Sequence, residues 1–176
     1  MQSIVASLLA EMEHEAKTTR KFLNELPIDQ MSYKPHEKSM STGQLAMHIA
    51  SLPGLMAEWA AHDVFEMAGG PPSHKEPTRD EVLSAFEESL EKAKGILIGM
   101  DNDRMMGTWT FKVNGQIVME MPRVAMIRSF MMNHLYHHRG QLGVYLRMLG
   151  AKVPSSYGPS GDENPLAELL ATTRKG

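Results

Sequence analysis

The sequence of 176 residues contains no cysteine, which excludes disulfides, thiolate metal sites and a cysteine nucleophile. It also lacks any run approaching the ~20 consecutive apolar residues that a membrane-spanning helix needs. Neither charge is in large excess: 18 lysines and arginines are interspersed with 21 aspartates and glutamates, and no basic stripe could follow a phosphate backbone. We therefore expect a single cytoplasmic domain, residues 1–176, that binds neither nucleic acid nor a membrane.

Apolar residues recur at intervals of three and four in four segments, and this spacing predicts four long helices. Ser41 with Gln44, and Thr78 with Glu81, have the spacing of capping boxes at the starts of the second and third helices. This pattern predicts an all-α fold, a four-helix bundle. The predicted helices cover approximately residues 2–26, 42–67, 78–100 and 122–149.

Other features interrupt or extend this pattern. Pro53 lies inside the second predicted helix, where its missing N–H predicts a kink or a break. Residues 109–121 are strand-like around Asn114-Gly115, which predicts a short hairpin or extended excursion before the last bundle helix. Asn164-Pro165 predicts a short helix near the carboxyl terminus, over about residues 164–173.

His134 and His138 are the strongest candidates for metal ligands. Residues four apart lie on one face of a helix, with Cβ atoms roughly 6 Å apart, so both imidazoles can bind one ion. The helical wheel places both where they can face the bundle interior, with His137 on the opposite side. No H-E-x-x-H motif is present, so a peptidase of that type is not expected. The histidines expected at ordinary surface positions are His14, His36, His74 and His137.

His48 and His62 both lie on the apolar stripe of the second predicted helix. They are 14 residues apart, or about 21 Å along a regular helix, so one ion cannot bind both. An unpaired imidazole at His48 would be unfavourable, and on the residues alone a hydrogen-bonded core histidine is a simpler interpretation than a ligand. The spacing does not choose between the two positions.

Four stretches resemble the DinB/YfiT family: STGQLAMHIA (41–50), HLYHHRGQL (134–142), LRMLG (146–150) and VPSSYG (153–158). The resemblance extends through most of the chain and is weakest between residues 70 and 120. It implies a four-helix bundle that binds one divalent ion through three histidines, one on the second helix and two in an H-x-x-x-H on the last bundle helix. At the matching positions these are His48, His134 and His138, so the resemblance selects His48 over His62.

Three imidazoles leave at least one coordination position open for water or substrate. The resemblance implies a metal-dependent enzyme of S-transferase or isomerase type that acts on a small molecule with a low-molecular-weight thiol. A homodimer is also implied. The alternatives are a non-catalytic bundle that binds a metal or small ligand, a metal-dependent hydrolase, and a bundle whose histidines are hydrogen-bonded without an ion. Imidazole ligands suit zinc, nickel and other first-row transition metals alike.

The residues that would assist such an ion are less well defined. Gln141 and Tyr145 lie near His134 on the helical wheel, and Glu15 falls among the apolar positions of the first helix. Each could orient a ligand or the substrate, although packing is the simpler interpretation. No catalytic acid or base is assigned.

Overall fold

The computed structural model describes residues 3–67, 76–167 and 170. It is mostly helical, with a small three-stranded sheet beside the helices. The elements are α1 (Ile4–Asn24), α2 (Thr42–Ala61), β1 (Val64–Met67), α3 (Arg79–Leu97), α4 (Asn102–Met106), β2 (Thr108–Val113), β3 (Gln116–Pro122), α5 (Arg123–Met126), a π-helical segment (Ile127–Asn133) and α6 (His134–Met148).

The long helices α1, α2 and α3 pack with α6 around one apolar core. Both capping boxes form: the Ser41 hydroxyl accepts from the Gln44 N–H, and the Thr78 hydroxyl accepts from the Glu81 N–H. These interactions fix where α2 and α3 begin. Each of these four helices contributes residues that are completely shielded from solvent, among them Leu23, Leu45, Phe86 and Leu142.

The second helix is shorter than the sequence predicts, and the fold is not purely helical. α2 ends at Ala61 instead of near residue 67, and the following residues form β1. Arg104 and Arg123 donate to the last carbonyl groups of the helix, at Ala61 and Ala60 respectively, and so satisfy groups that a longer helix would have bonded internally. β1 is the element that the prediction of an all-α fold missed.

The predicted hairpin is present and forms two strands of the sheet. β2 pairs with β3 in antiparallel orientation, and Asn114 and Gly115 turn the chain with φ of 51° and 77°. β1 pairs with β2 in parallel, from Val64 opposite Thr110 to Met67 opposite Val113. The Phe65 ring stacks on Trp59 of α2 at 3.9 Å between centroids, which holds the sheet against the helices.

Helix α2 continues through Pro53, so of the predicted kink or break the break does not occur. Ser89 of α3 binds backbone groups on either side of the proline: its hydroxyl accepts from the Gly54 N–H at 2.7 Å and donates to the Ser51 carbonyl at 3.1 Å. The two helices approach closely here, because a Cβ added to Gly54 would lie 3.0 Å from the carbonyl and hydroxyl oxygens of Ser89. Because Gly54 has no side chain, the Ser89 hydroxyl of α3 can approach the backbone of α2 closely enough to form these hydrogen bonds.

Gly54→Ala is expected to lower the free energy of unfolding by about 1–3 kcal/mol, because the added methyl group would force α2 and α3 apart. Gly95→Ala is the matched control. Gly95 lies in α3, and a Cβ added there would meet no atom of a neighbouring element within 4 Å, so alanine should raise stability by about 0.5–1 kcal/mol through helix propensity. Urea unfolding of the two variants would measure both effects, and equal effects at both sites would contradict the close approach.

Helix α5, the π-helical segment and α6 form one continuous compound helix, residues 123–148. The sequence predicts this region as a regular helix, and the π-helical segment is a departure from that expectation. Arg123, 1% exposed, ties its start to the end of α2 through the Ala60 and His62 carbonyls. Arg139, also 1% exposed, ties its later part to α1 through an ion pair with Glu15 at 2.7 Å. Both parts of the compound helix are therefore anchored by buried guanidinium groups.

The chain after α6 folds back over α1 and α6. Glu163 pairs with Lys21 of α1 at 2.7 Å, and Asp162 pairs with Arg147 of α6 at 2.6 Å. The Asn164 side chain accepts from the Ala167 N–H at 3.1 Å and residues 165–167 are helical, but half of the predicted helix at 164–173 lies outside the described residues. Among the helices that the structure describes, none is long and apolar enough to cross a membrane.

Candidate metal centre

Three half-buried histidines converge between α2 and α6: His48, His134 and His138. His48 lies in the first half of α2, His134 begins α6, and His138 follows one turn later. The Nε2 atoms of His48 and His134 are 3.4 Å apart, and those of His134 and His138 are 2.8 Å apart. One ring nitrogen from each residue lies within 4.8 Å of the other two. Within the described residues, this is the one group that has the geometry of a metal site.

Two of the rings interact with groups outside the cluster. The His138 Nδ1 lies 2.7 Å from the side-chain oxygen of Gln141, so this nitrogen donates to Gln141 and the His138 Nε2 carries a lone pair. A hydrogen bond to the backbone of Phe130 raises the pKa of His134. The Gln141 contact therefore fixes the ring of His138 with its Nε2 directed at the cluster.

This arrangement fits a first-row transition-metal ion. Two Nε2 atoms 2.8 Å apart require either a proton or a metal cation between them. Metal–imidazole bonds of about 2.0–2.1 Å would place neighbouring ligand nitrogens about 2.8–3.4 Å apart in octahedral or tetrahedral geometry. The observed separations of 2.8 and 3.4 Å are within this range. The donor set and its spacing thus suit a single shared ion.

The surroundings keep these rings neutral, the form that binds metal. Burial, together with the nearby rings of His138 and His134, lowers the pKa of His48 to about 4. Burial also lowers the pKa of His134, against the opposing effect of the hydrogen bond to Phe130. For His138 burial again lowers the pKa most, and the hydrogen bond to Gln141 opposes it. Protons are therefore weak competitors for the site near neutral pH.

The remaining histidines do not join the cluster. His62 is exposed at the end of α2, so the structure brings His48 and not His62 to the other two. His14 and His36 are exposed, and His74 lies outside the described residues. His137 is exposed as predicted, but its ring centroid is 4.9 Å from that of His138. The prediction that His137 projects to the opposite side of the helix is therefore wrong.

Of the three residues considered as assistants, Gln141 is the one in contact with the cluster. The Tyr145 hydroxyl donates to the Met40 carbonyl, and Glu15 pairs with Arg139. The backbone of Phe130 was not foreseen. The only sequence signal for this contact is the position of Phe130 one turn before His134.

Fold and site together define a class: mostly helical proteins with three convergent histidines that could hold a metal ion. The model of the DinB family matches residues 1–167 of this chain. The chain therefore belongs to the DinB family, and the resemblance noted in the sequence is confirmed.

Individual relatives agree with this assignment. The uncharacterized protein YrdA of Bacillus subtilis (strain 168) is 23% identical over 155 residues, which cover 88% of this chain and 89% of the relative. A DinB-like protein from Bacillus cereus ATCC 10987 is similar in structure with a TM-score of 0.69 and 21% identity, over 89% of this chain and 99% of that one. The DinB-like protein YjoA from Bacillus subtilis gives a TM-score of 0.66 and 20% identity, over 86% of this chain and 96% of that one. At these identities the structures support the fold alone.

Proposed function

We propose that the protein binds one divalent transition-metal ion through His48, His134 and His138, and that it catalyses a reaction of a small thiol, of S-transferase or isomerase type. In this proposal the three long helices and the compound helix act as a four-helix bundle that carries the site. The observation that carries it is the convergence of Nε2 atoms at 2.8 and 3.4 Å, with the Nδ1 atom of His138 bound to the side-chain oxygen of Gln141.

An open coordination position favours a reactive site over a purely structural one. Three protein ligands leave at least one position of a four- to six-coordinate ion for an exogenous group. All three histidines are only partly buried, so a small molecule can reach them from solvent. When bound, the ion would act as a Lewis acid that lowers the pKa of a thiol or water.

The chain itself supplies binding and orientation. His48 brings α2 to the site, while Gln141 sets the ring orientation of His138. The sequence has no cysteine, so the sulfur of a thiol reaction must come from a separate small molecule. This requirement directs the proposal to a low-molecular-weight thiol as the second substrate.

Metal binding is tested on protein purified without a histidine tag. About one equivalent of a transition metal is expected by elemental analysis after reconstitution, or of cobalt after substitution, and chelation should remove it. A protein that takes up no metal under any condition would support the alternative in which the histidines are hydrogen-bonded without an ion.

Thiol binding is expected to change the absorption spectrum of the cobalt-substituted protein. A thiolate that enters the open position should add a sulfur-to-cobalt charge-transfer band in the near ultraviolet, since thiolate is a soft ligand whose sulfur gives up an electron easily. Titration with cysteine and glutathione measures this, with serine as the control that differs from cysteine in one atom. If thiols change the spectrum no more than serine does, while chelation still lowers the melting temperature, the protein is a non-catalytic metal-binding bundle or a hydrolase.

A further inference from the structure

The side chain of Gln141 follows His138 by one turn of α6, and its carboxamide contacts the His138 ring from outside the cluster. We infer that Gln141 is a positioning residue that holds the single proton of the His138 ring on Nδ1. The Nε2 atom of His138 is then free to bind the metal, and in the metal-free protein it accepts a hydrogen bond from His134. This inference rests on the proposed metal binding and adds to it the positions of the protons in the cluster.

Helical geometry brings the carboxamide to the near side of the His138 ring. Residues three apart are neighbours on the surface of a helix, and side chains lean towards its amino terminus, so Gln141 reaches back over the turn that carries His138. Nδ1 is the ring nitrogen closer to the backbone, and it lies 2.7 Å from the Gln141 side-chain oxygen. Nε2, at the far end of the ring, lies 2.8 Å from the Nε2 of His134. The two nitrogens of His138 therefore have different partners.

The positions of the protons follow from these two contacts. A neutral imidazole carries one N–H, and a carboxamide oxygen can only accept a hydrogen bond. The proton of His138 is therefore on Nδ1, and its Nε2 has a lone pair. In the metal-free protein the His134 Nε2 must then donate across the 2.8 Å contact. An ion would take the place of this proton, and the rings would need little movement, because the separation of the two nitrogens already suits a shared ion.

Gln141→Met is the direct test. Gln141 is exposed, so its replacement removes no core residue, and methionine keeps the length of the side chain and the helix propensity while removing the oxygen acceptor. We expect cobalt(II) binding to weaken by about 10-fold, the lower end of the range for loss of a group that orients a ligand, because water competes for an exposed hydrogen bond.

Two further variants show whether the oxygen acceptor is the cause. Gln141→Glu keeps an oxygen at the same position and should bind cobalt at least as tightly as the wild type, since a carboxylate is a stronger acceptor for a ligating histidine. Val144→Ala is the matched control for a change on the exposed face of α6, three residues later, and it should bind cobalt like the wild type. Competition titration with a chromophoric chelator would measure all three affinities.

A second measurement needs no metal. In metal-free wild-type protein labelled with ¹⁵N-histidine, the His138 Nδ1 should give the resonance of a protonated nitrogen and its Nε2 that of an unprotonated one. In Gln141→Met the two resonances should move towards each other, because both tautomers of the ring are then populated. A merely structural role would lower the melting temperature without this change. A proton on the His138 Nε2 of the wild type would overturn the inference.

The outcomes separate the inference from the proposed function. If the wild-type protein binds no cobalt, the proposed function fails, and the resonances of the metal-free protein decide the proton positions by themselves. If the wild type binds cobalt and Gln141→Met binds it with equal affinity, only the positioning role fails. Equal weakening in Gln141→Met and Gln141→Glu would also overturn that role, because loss of the oxygen acceptor would then not be the cause.

Discussion

His48→Ala is expected to weaken divalent-metal binding by at least about 100-fold. A three-histidine site that loses one ligand keeps only the pair on α6, and each ligand contributes several kcal/mol to binding of a transition metal. The loss should exceed that for any substitution that only reorients a ligand. Competition titration with a chromophoric chelator would measure the dissociation constants of wild type and variant.

His62→Ala is the matched control for His48. His62 also follows the apolar stripe in the sequence but is exposed at the end of α2, outside the cluster. Its replacement should leave the affinity for cobalt unchanged. A large loss at His62, or an unchanged affinity in His48→Ala, would show that the three-histidine centre is wrongly assigned.

Arg139→Met is expected to lower the free energy of unfolding of the metal-free protein by about 3–5 kcal/mol, because it leaves Glu15 buried without its partner. The guanidinium lies 2.7 Å from the Glu15 carboxylate and also donates to the Thr19 hydroxyl at 3.2 Å. It lies 5.3 Å from the centroid of each of two tyrosine rings, Tyr136 and Tyr157. Urea unfolding in the presence of a chelator would measure the loss without a contribution from bound metal.

Two further variants show whether burial is the cause. Arg20→Met removes an ion pair with Glu87 whose side chains are 37% and 50% exposed, and it should lower stability by less than about 1 kcal/mol. The double variant Glu15→Leu/Arg139→Met removes both buried charges and should recover part of the stability lost in Arg139→Met. A loss in Arg139→Met no larger than in Arg20→Met would contradict the importance of the buried pair.

The sequence predicted part of the site from local geometry and part only by resemblance. His134 and His138 are four residues apart on one helix, so their proximity follows from helical geometry without knowledge of the fold. The choice of His48 over His62 depends on which end of α2 meets α6, and this is a property of tertiary packing. Residue spacing could not supply it, whereas the family pattern did.

The features that were missed have non-local or subtle causes. β1 forms because residues 64–67 pair with β2, more than 40 residues later, and because distant arginines donate to the end of α2. The π-helical segment uses ordinary helix-compatible residues, so its sequence does not distinguish it from a regular helix. Where α2 continues through Pro53, the backbone of the next residue, Gly54, donates to the Ser89 hydroxyl of another helix. The spacing of apolar residues in the sequence reveals none of these features.

The contacts of Arg123 have a mechanical consequence for the site. They cross-link α2 and the compound helix near Ala60, while His48 and His134 meet 12 residues earlier in α2, about 18 Å away along its axis. A bound ion would therefore form a second connection between α2 and the compound helix, which Arg123 already joins near the carboxyl-terminal end of α2. Removal of the ion would leave the two helices joined at Arg123, so any loosening of their contact would be confined to the amino-terminal half of α2.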